Sequence, residues 1–161
     1  LEGERLAKRL TQNTFADLVI FQNSGAEATE AAIKVARKFF HAKNKAYKNR
    51  ILCIKNSFHG RTLAAIHASG SKKMTEGFGP KIPGFDHFVF GNHKSLKKSI
   101  TKKTAAIMIE PVLGEGGIKV IPDFCLKGPH LGHQRLHPLR GLRRQRGRRR
   151  RCPIDGLRRF G

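Results

Sequence analysis

Short apolar runs and longer amphipathic stretches alternate along this chain. Four apolar runs bounded by polar residues predict strands at residues 18–22, 50–55, 87–90 and 105–110, the first and the last of them buried. Apolar residues at helical spacing predict helices over residues 4–10, 25 to about 41, 62–69 and 94–101, with a further helix beginning at residue 122. Residues 70–85 are rich in Gly and Pro and predict an irregular segment. Strands that alternate with helices are typical of an α/β fold with a parallel sheet.

The junction between the first strand and the second helix has the features of an anion site. Ser24 followed three residues later by Glu27 is a capping-box pattern, which fixes the start of the helix. Free N–H groups converge there, the helix dipole favours negative charge, and the small Gly25 and Ala26 would let a phosphate approach closely. An ordinary strand-to-helix turn is the alternative, because capping boxes are common. The apolar face of this helix is predicted to consist of Ala28, Ala31, Ala32, Val35, Ala36 and Phe39.

Chemically distinctive side chains follow two further strands. Phe58, His59 and Arg61 come after the second strand, and Glu110 and Glu115 come at and after the last one. Ligands of open α/β sheets bind at the carboxyl ends of the strands, so these loops and the helix start are expected to face one crevice. The alternatives are that Phe58 is a core aromatic and that Arg61 and Glu115 are idle surface groups. His59 is interpreted as a structural group rather than as an acid or base.

The chain has 161 residues, enough for one domain with a sizeable core. It does not begin with Met, and its first residues resemble the inside of an amphipathic helix, so we expect a fragment of a longer protein. No apolar run approaches the roughly 20 residues that cross a bilayer, and no signal peptide precedes the first charged residues. Cys53, Cys125 and Cys152 are irregularly spaced and predict no disulfide framework, which favours a reducing cytoplasm. The histidines within residues 130–137 fit no structural zinc pattern with Cys125.

The formal net charge of +22 is divided unevenly along the sequence. Residues 1–127 carry 22 Lys and Arg against 10 Asp and Glu, whereas residues 128–161 carry 11 Arg, no Lys and one acid, Asp155. The first part favours residues that AT-rich codons encode, and the second favours residues that GC-rich codons encode. We therefore expect residues 128–161 to be an Arg- and Gly-rich tail that is disordered or results from a frameshift or a joining error. As a genuine tail, residues 143–151 would bind nucleic-acid phosphates non-specifically through counterion release.

Several motifs in residues 1–127 resemble the class III aminotransferases, which use pyridoxal phosphate and have fold type I. The motifs are residues 21–28 with 31–34, residues 58–64, residues 76–80 with 83–85, residues 110–111 and residues 114–117. They stand in the order of the family at natural spacing and are most similar to those of its acetylornithine-type members. The resemblance implies that residues 1–127 are part of the large domain of a fold type I transferase, which has a three-layer α/β/α sheet.

The resemblance also implies a cofactor site. Ser24, Gly25 and Ala26 would hold the phosphate of pyridoxal 5'-phosphate through backbone N–H groups at the helix start. Phe58 would lie against the pyridine ring, an apolar face suited to stacking. Glu110 would have a supporting role beside the cofactor, at the end of its strand.

For the substrate, the resemblance implies that Arg61 receives a carboxylate in its guanidinium fork. Glu115 would lie near the substrate pocket, where it can neutralise a distal arginine. Two further groups of the family have no counterpart here: the Schiff-base lysine and the acid opposite the pyridine nitrogen. In the family, this acid lies in an Asp-Glu-Val-Gln motif. No lysine follows Lys127, and Asp155 lies in another context. No catalytic residue is therefore assigned, and the fragment is expected to be inactive alone.

The implied activity is amino-group transfer between N-acetylornithine and 2-oxoglutarate, in arginine biosynthesis, by a parent enzyme that forms a homodimer. Ornithine, succinylornithine and 4-aminobutyrate are the alternative amino donors within the family. A nucleic-acid-binding protein with a basic tail is the alternative from another functional class. No metal site and no membrane contact are expected.

Overall fold

Residues 2–14 and 16–121 are described by this computed structural model, and they fall into two units. One unit includes the chain up to Leu18 and contains α1, which spans Glu2–Asn13. The other begins at Val19 and contains the further elements. The expected helix from residue 122, the cysteine and histidine residues of 125–137 and the tail 128–161 lie outside the described residues.

α1 begins with two acidic residues, Glu2 and Glu4, whose charge is favourable at the positive end of the helix dipole. The Arg5 guanidinium contacts the Glu2 carboxylate at 3.0 Å. The helix exists where it was predicted and extends beyond residues 4–10 at both ends. None of its described residues is buried.

The second unit is built around β1, Arg50–Ile54, a strand with a parallel neighbour on each side. β2 spans Phe85–Phe88 and β3 spans Thr104–Met108, and the order across the sheet is β2-β1-β3. Ile51 of β1 pairs with Phe85 of β2. Four of the five β1 residues are buried, which is typical of a strand covered on both faces. The predicted parallel sheet is confirmed.

Helices and a small hairpin complete the part of this unit that lies within residues 19–121. The helices are α2, Gly25–Ala42; α3, Leu63–Ser69; α4, Lys72–Thr75; and α5, His93–Ser99. Ser24, Thr62 and Asn92 cap α2, α3 and α5, since each side chain accepts a hydrogen bond from a first-turn N–H group. β4, Val112–Leu113, and β5, Lys119–Val120, form an antiparallel hairpin that the sequence pattern did not predict.

Alternate side chains of β1 enter two apolar clusters, one on each face of the sheet. One cluster contains Leu52, Ile54, Phe88, Leu96, Leu113 and Ile121, and the other contains Ile33, Ile51, Cys53, Ala68 and Phe85. Ile33 belongs to α2 and Ala68 to α3, whereas Leu96 belongs to α5. Helices therefore cover both faces of the sheet, as a three-layer arrangement requires.

The strand predicted at residues 18–22 is wrong. These residues form no regular element, and Leu18, Ile20 and Phe21 are 63, 68 and 49 % exposed. An apolar run is stable as a strand only where a neighbouring strand satisfies its backbone N–H and C=O groups. None of the described strands pairs with this segment.

The apolar face predicted for α2 is also wrong. Ile33 and Phe40 are its buried side chains, with Ala36 packed beside them, whereas Val35 and Phe39 are 53 and 47 % exposed. Residues 33, 36 and 40 follow the same helical period, so the period was right and the face is rotated. Alanines contribute too little apolar area to fix the orientation, and the larger Ile33 and Phe40 decide it.

The other elements occur close to their predicted positions, with shifted ends. β2 begins two residues earlier than predicted because Phe85 pairs with Ile51. β3 ends at Met108, so Glu110 follows the strand instead of closing it. The residues of β3 are half-buried and not buried as predicted, since β3 is an edge of the described sheet. Residues 70–84 are irregular as predicted, apart from the single turn of α4, whereas Phe85 belongs to β2.

An ion pair joins the start of β1 to β2. The Arg50 Nη2 atom lies 2.6 Å from Asp86 Oδ1, Nε lies 2.5 Å from Oδ2, and Nη2 also donates to the Phe85 carbonyl oxygen. The hydrogen bonds from Arg50 hold the pKa of the Asp86 carboxyl below its ordinary value and raise the pKa of Arg50. The two side chains are only 31 and 28 % exposed, so solvent screens this pair less than a surface pair.

Replacing Asp86 with Asn should lower the free energy of unfolding by about 1 kcal/mol at pH 7, because Arg50 loses its ionic partner. The folded-state pKa of Asp86 is lowered, so its stabilisation is complete above the unfolded pKa and is lost as the pH falls through the folded pKa. Urea unfolding of the unmodified chain and of Asp86→Asn should therefore differ at pH 7 and converge in acid. Glu2→Gln, which removes the exposed contact with Arg5, is the control, and an equal loss in both variants would contradict the prediction.

Candidate functional site

The start of α2 offers backbone N–H groups to solvent. The Ser24 backbone is extended, and its Oγ accepts a hydrogen bond from the Glu27 N–H at 3.2 Å. The capping box forms in part, because the Glu27 carboxylate lies 3.4 Å from the Ser24 hydroxyl and does not reach back to a backbone N–H. The N–H groups of Gly25 and Ala26 belong to the first turn and have no intrahelical acceptor. A Cβ at Gly25 would meet no atom of the described chain within 4 Å.

The loop after β1 packs directly against this helix start. Gly60 has a φ of +116°, and a Cβ there would lie 3.6 Å from the Ala26 Cα and 3.4 Å from the Ala65 Cβ. The Thr62 hydroxyl, which caps α3, also donates to Glu30 of α2 at 2.6 Å. The positive φ favours glycine at position 60, because other side chains rarely adopt this backbone conformation.

Glu110 connects the loop after β1 with the loop after β3. One of its carboxylate oxygens accepts the Phe58 N–H and the other accepts the Gly114 N–H, each at 3.1 Å. A Cβ at Gly116 would lie 3.3 Å from the Asn56 carbonyl oxygen, so the two loops are also in close contact there. The loop after β1 therefore contacts both the start of α2 and the loop after β3, the three segments that were predicted to face one crevice.

Few interactions within the described residues hold the predicted ligand-binding side chains of these loops, which are Phe58, Arg61 and Glu115. Phe58 is half-buried and belongs to neither apolar cluster of the core. Arg61 and Glu115 are exposed, and within the described residues neither has a hydrogen-bond or ion-pair partner. All three side chains are thus free to contact a ligand.

Ser57 lies within the candidate site and was not predicted from the sequence. It is only 2 % exposed, its hydroxyl donates to the Ile54 carbonyl oxygen at 2.7 Å, and it lies 2.8 Å from His59 Nε2. Burial lowers the pKa of His59 from its ordinary value, and the nearby Glu110 carboxylate opposes this effect. The available signal was its place as the last of three polar residues, 55–57, between a buried strand and Phe58.

A cavity of about 280 Å³ lies elsewhere in the second unit. It is lined by His67, Gly70, Ser71, Lys72, Thr75, Gly79, Lys81 and His87, and so contains none of the predicted site residues. Burial lowers the pKa of His87, whose Nε2 lies 3.1 Å from the carbonyl oxygens of His67 and Ala68. The candidate site is therefore defined by converging loops and not by this cavity.

The described ranges 2–14 and 16–121 lack both a membrane-spanning helix and a cluster of metal ligands. No helix in them combines the length and apolar character that a membrane crossing requires. In the same ranges no group of three or more His, Cys, Asp or Glu side chains is arranged to hold a metal ion.

Comparison with known proteins identifies the family. The sequence model of the family Aminotransferase class-III matches residues 2–128, and the chain belongs to this family. It is 57 % identical over 116 residues to acetylornithine aminotransferase of Agrobacterium fabrum strain C58, and this match covers 72 % of the chain and 29 % of that enzyme. It is 52 % identical over 123 residues to acetylornithine aminotransferase of Mesorhizobium japonicum, and this match covers 76 % of the chain and 31 % of that enzyme.

A solved structure extends the comparison to the fold. The chain matches the ornithine aminotransferase from Toxoplasma gondii, reported with partial occupancy of PLP at its active site, with a TM-score of 0.71 and 29 % identity. The match covers 77 % of this chain and 30 % of that one. The chain thus spans about three tenths of the length of these relatives, and the predicted family and fold class are confirmed.

Gly60→Ala should lower the free energy of unfolding by about 1–2 kcal/mol, because an alanine side chain strains the φ of +116°, while the added methyl only reaches ordinary contact with Ala26 and Ala65. Gly25→Ala is the matched control, since the added methyl meets open space at a position inside a helix. It should leave the stability unchanged or raise it by up to about 0.5 kcal/mol. Denaturant unfolding of both variants tests this difference, and equal stabilities would contradict the strain expected at the positive φ of residue 60.

Proposed function

We propose that this chain is part of an enzyme that transfers an amino group between N-acetylornithine and 2-oxoglutarate with pyridoxal 5'-phosphate as cofactor. The curated relatives from Agrobacterium fabrum and Mesorhizobium japonicum carry the name acetylornithine aminotransferase, which supports this amino donor. Ornithine, succinylornithine and 4-aminobutyrate are the alternative donors within the family. One observation supports the site above all others: the start of α2, the loop of Phe58 and the loop of Gly114 are in contact.

The start of α2 has the chemistry that a phosphate group requires. The N–H groups of Gly25 and Ala26 point out of the first turn, and Ser24 adds a hydroxyl beside them. Neither the backbone conformation nor internal packing requires glycine at position 25, since a Cβ there would meet open space. A ligand that approaches the backbone closely would explain glycine at this position, because a Cβ would occupy the space that the ligand needs.

When bound, pyridoxal phosphate supplies an electron sink for the carbon that bears the amino group. In the proposal, Phe58 packs its apolar ring against the cofactor ring and fixes the plane of that ring. Glu110 orients Phe58 through the Phe58 N–H, and orients the loop of Gly114 through its second oxygen. Glu110 thus acts on the position of the cofactor through the backbone.

Arg61 and Glu115 are proposed to bind substrate. Both are exposed and have no partner within the described residues, so neither must break an internal ion pair before it meets a ligand. The planar guanidinium of Arg61 suits a carboxylate, which every amino acid and 2-oxo acid substrate carries. Glu115 is proposed to lie near the substrate and to neutralise a distal arginine.

The resemblance places the Schiff-base lysine beyond the segment that it covers, and no lysine follows Lys127, so we propose that these 161 residues do not catalyse the reaction by themselves. The parent enzyme is proposed to be a homodimer of the cytoplasm, in keeping with cysteines that suggest no disulfide framework. Nucleic-acid contact is limited to non-specific binding by residues 143–151.

Titration with pyridoxal 5'-phosphate tests the cradle at α2. Gly25→Asp should weaken binding of the cofactor roughly tenfold or more, because a carboxylate beside the phosphate adds repulsion and fills the open space. Gly3→Asp is the matched control, since Gly3 is also helical and open, lies in the other unit and receives the same charge. Affinity is measured by the change in cofactor absorbance or fluorescence. Equal affinities of Gly25→Asp and the unmodified chain would refute the cradle.

A chimera tests the activity. Residues 19–121 replace the corresponding segment of the Agrobacterium fabrum acetylornithine aminotransferase, which then supplies the rest of the enzyme. The chimera is expected to convert N-acetylornithine with 2-oxoglutarate as acceptor, and to prefer it to ornithine, succinylornithine and 4-aminobutyrate. A folded chimera that binds the cofactor but prefers another donor would assign the chain to that other activity.

A further inference from the structure

The hydroxyl of Ser57 has only one proton, and its direction is fixed by the surroundings. The oxygen lies 2.7 Å from the Ile54 carbonyl oxygen, which can only accept, so the hydroxyl must donate there. Its contact with His59 Nε2 at 2.8 Å therefore requires the imidazole to donate. The geometry selects the tautomer of His59 that carries its proton on Nε2.

His59 and Ser57 do not form a nucleophilic pair. The Ser57 side chain is 2 % exposed and its proton is committed to a backbone carbonyl, so the oxygen cannot be activated by the imidazole. The charged or titratable groups that act on the ring are Glu110, which raises the pKa of His59, and His87, which lowers it. Burial outweighs both and favours the neutral ring.

Phe58 lies between the two ends of this hydrogen-bond chain. Ser57 precedes it and is tied back to the end of β1, while His59 follows it and is tied to Ser57. The Phe58 N–H then donates to Glu110 across the gap between the two loops. The backbone on both sides of Phe58 is thus anchored to a buried strand.

We propose that His59 is a positioning residue, which acts through Ser57 to fix the loop of Phe58 so that the Phe58 N–H meets Glu110 and the Phe58 ring is held at the site. The hydrogen bonds that join Ile54, Ser57 and His59 lie within this polypeptide and need no cofactor. Its effect on pyridoxal phosphate rests on the proposed function.

The test compares substitutions that remove or keep the donor at position 59. His59→Leu removes it, His59→Gln places an amide N–H near the position of Nε2, and Ser57→Ala removes the acceptor. His41→Leu, an exposed position near the end of α2, is the matched control. Imidazole nitrogen shifts of the unmodified chain, measured by NMR, are expected to show a proton on Nε2 of His59 and none on Nδ1.

Amide hydrogen exchange reports the position of Phe58 directly. The Phe58 N–H should exchange about fivefold to tenfold faster in His59→Leu and in Ser57→Ala, and within about twofold of the unmodified chain in His59→Gln and His41→Leu. The Ile51 N–H, which donates to Gly84, reports global opening and should stay unchanged. If the Ile51 N–H also exchanges faster in His59→Leu, that variant is globally destabilised. The positioning role is then judged from Phe58 exchange in Ser57→Ala and in His59→Gln.

Two results would overturn the proposal: a proton on Nδ1 of His59, or Phe58 exchange that is unaffected by both His59→Leu and Ser57→Ala. Cofactor titration of the same variants separates this proposal from the proposed function. Pyridoxal phosphate that fails to bind the unmodified chain contradicts the proposed function, while the exchange data still decide the positioning role. Equal binding by the unmodified chain and a folded His59→Leu contradicts the link between His59 and the site.

Discussion

The structure depends on the removal of β1 from water on both of its faces. Ile51, Leu52, Cys53 and Ile54 are at most 1 % exposed, and burial of each large apolar side chain contributes roughly 1.5–3 kcal/mol. A strand buried in this way must find hydrogen-bond partners on both edges and apolar cover on both faces, which β2, β3 and the flanking helices provide. Burial also raises the pKa of the Cys53 thiol to about 12, so this cysteine packs as a small apolar group.

The candidate site is organised by different forces. Its three segments are held together by hydrogen bonds to backbone groups, by the Thr62–Glu30 hydrogen bond and by the close approaches at Gly60 and Gly116. Glu110 satisfies two N–H groups from two loops at once, which makes it the central polar contact of the site. Such an arrangement fixes the backbone and leaves the side chains of Phe58, Arg61 and Glu115 available.

The sequence predicted elements whose formation depends on local pattern, and it failed where the outcome depends on distant partners. The start of α2 at Gly25 and the start of β1 at Arg50 follow from a capping residue and from a bounded apolar run. Residues 18–22 have the same apolar character as β1 but no adjacent strand in the described fold, and local pattern contains no information about that.

The same distinction applies to the site. Motifs named Ser24, Phe58 and Glu110 as candidate site residues, because the resemblance covers contiguous residues. The hydrogen bond between Ser57 and His59, and the two N–H groups that Glu110 accepts, depend on a register that only the folded chain defines. The prediction of the buried face of α2 was wrong for a related reason, because its alanines are compatible with more than one packed face.

The topology of the sheet has a consequence for the order in which this protein can form during its synthesis. β1 lies in the middle of the described sheet but is the first of the described strands to be synthesised. Ile51 can pair with Phe85, and Arg50 with Thr104, only after those later residues have been made. The Phe58 N–H likewise meets its carboxylate partner 52 residues further along. Parallel pairings over such separations are slow to form, so the nascent chain exposes its most apolar strand until nearly all of the described second unit has left the ribosome.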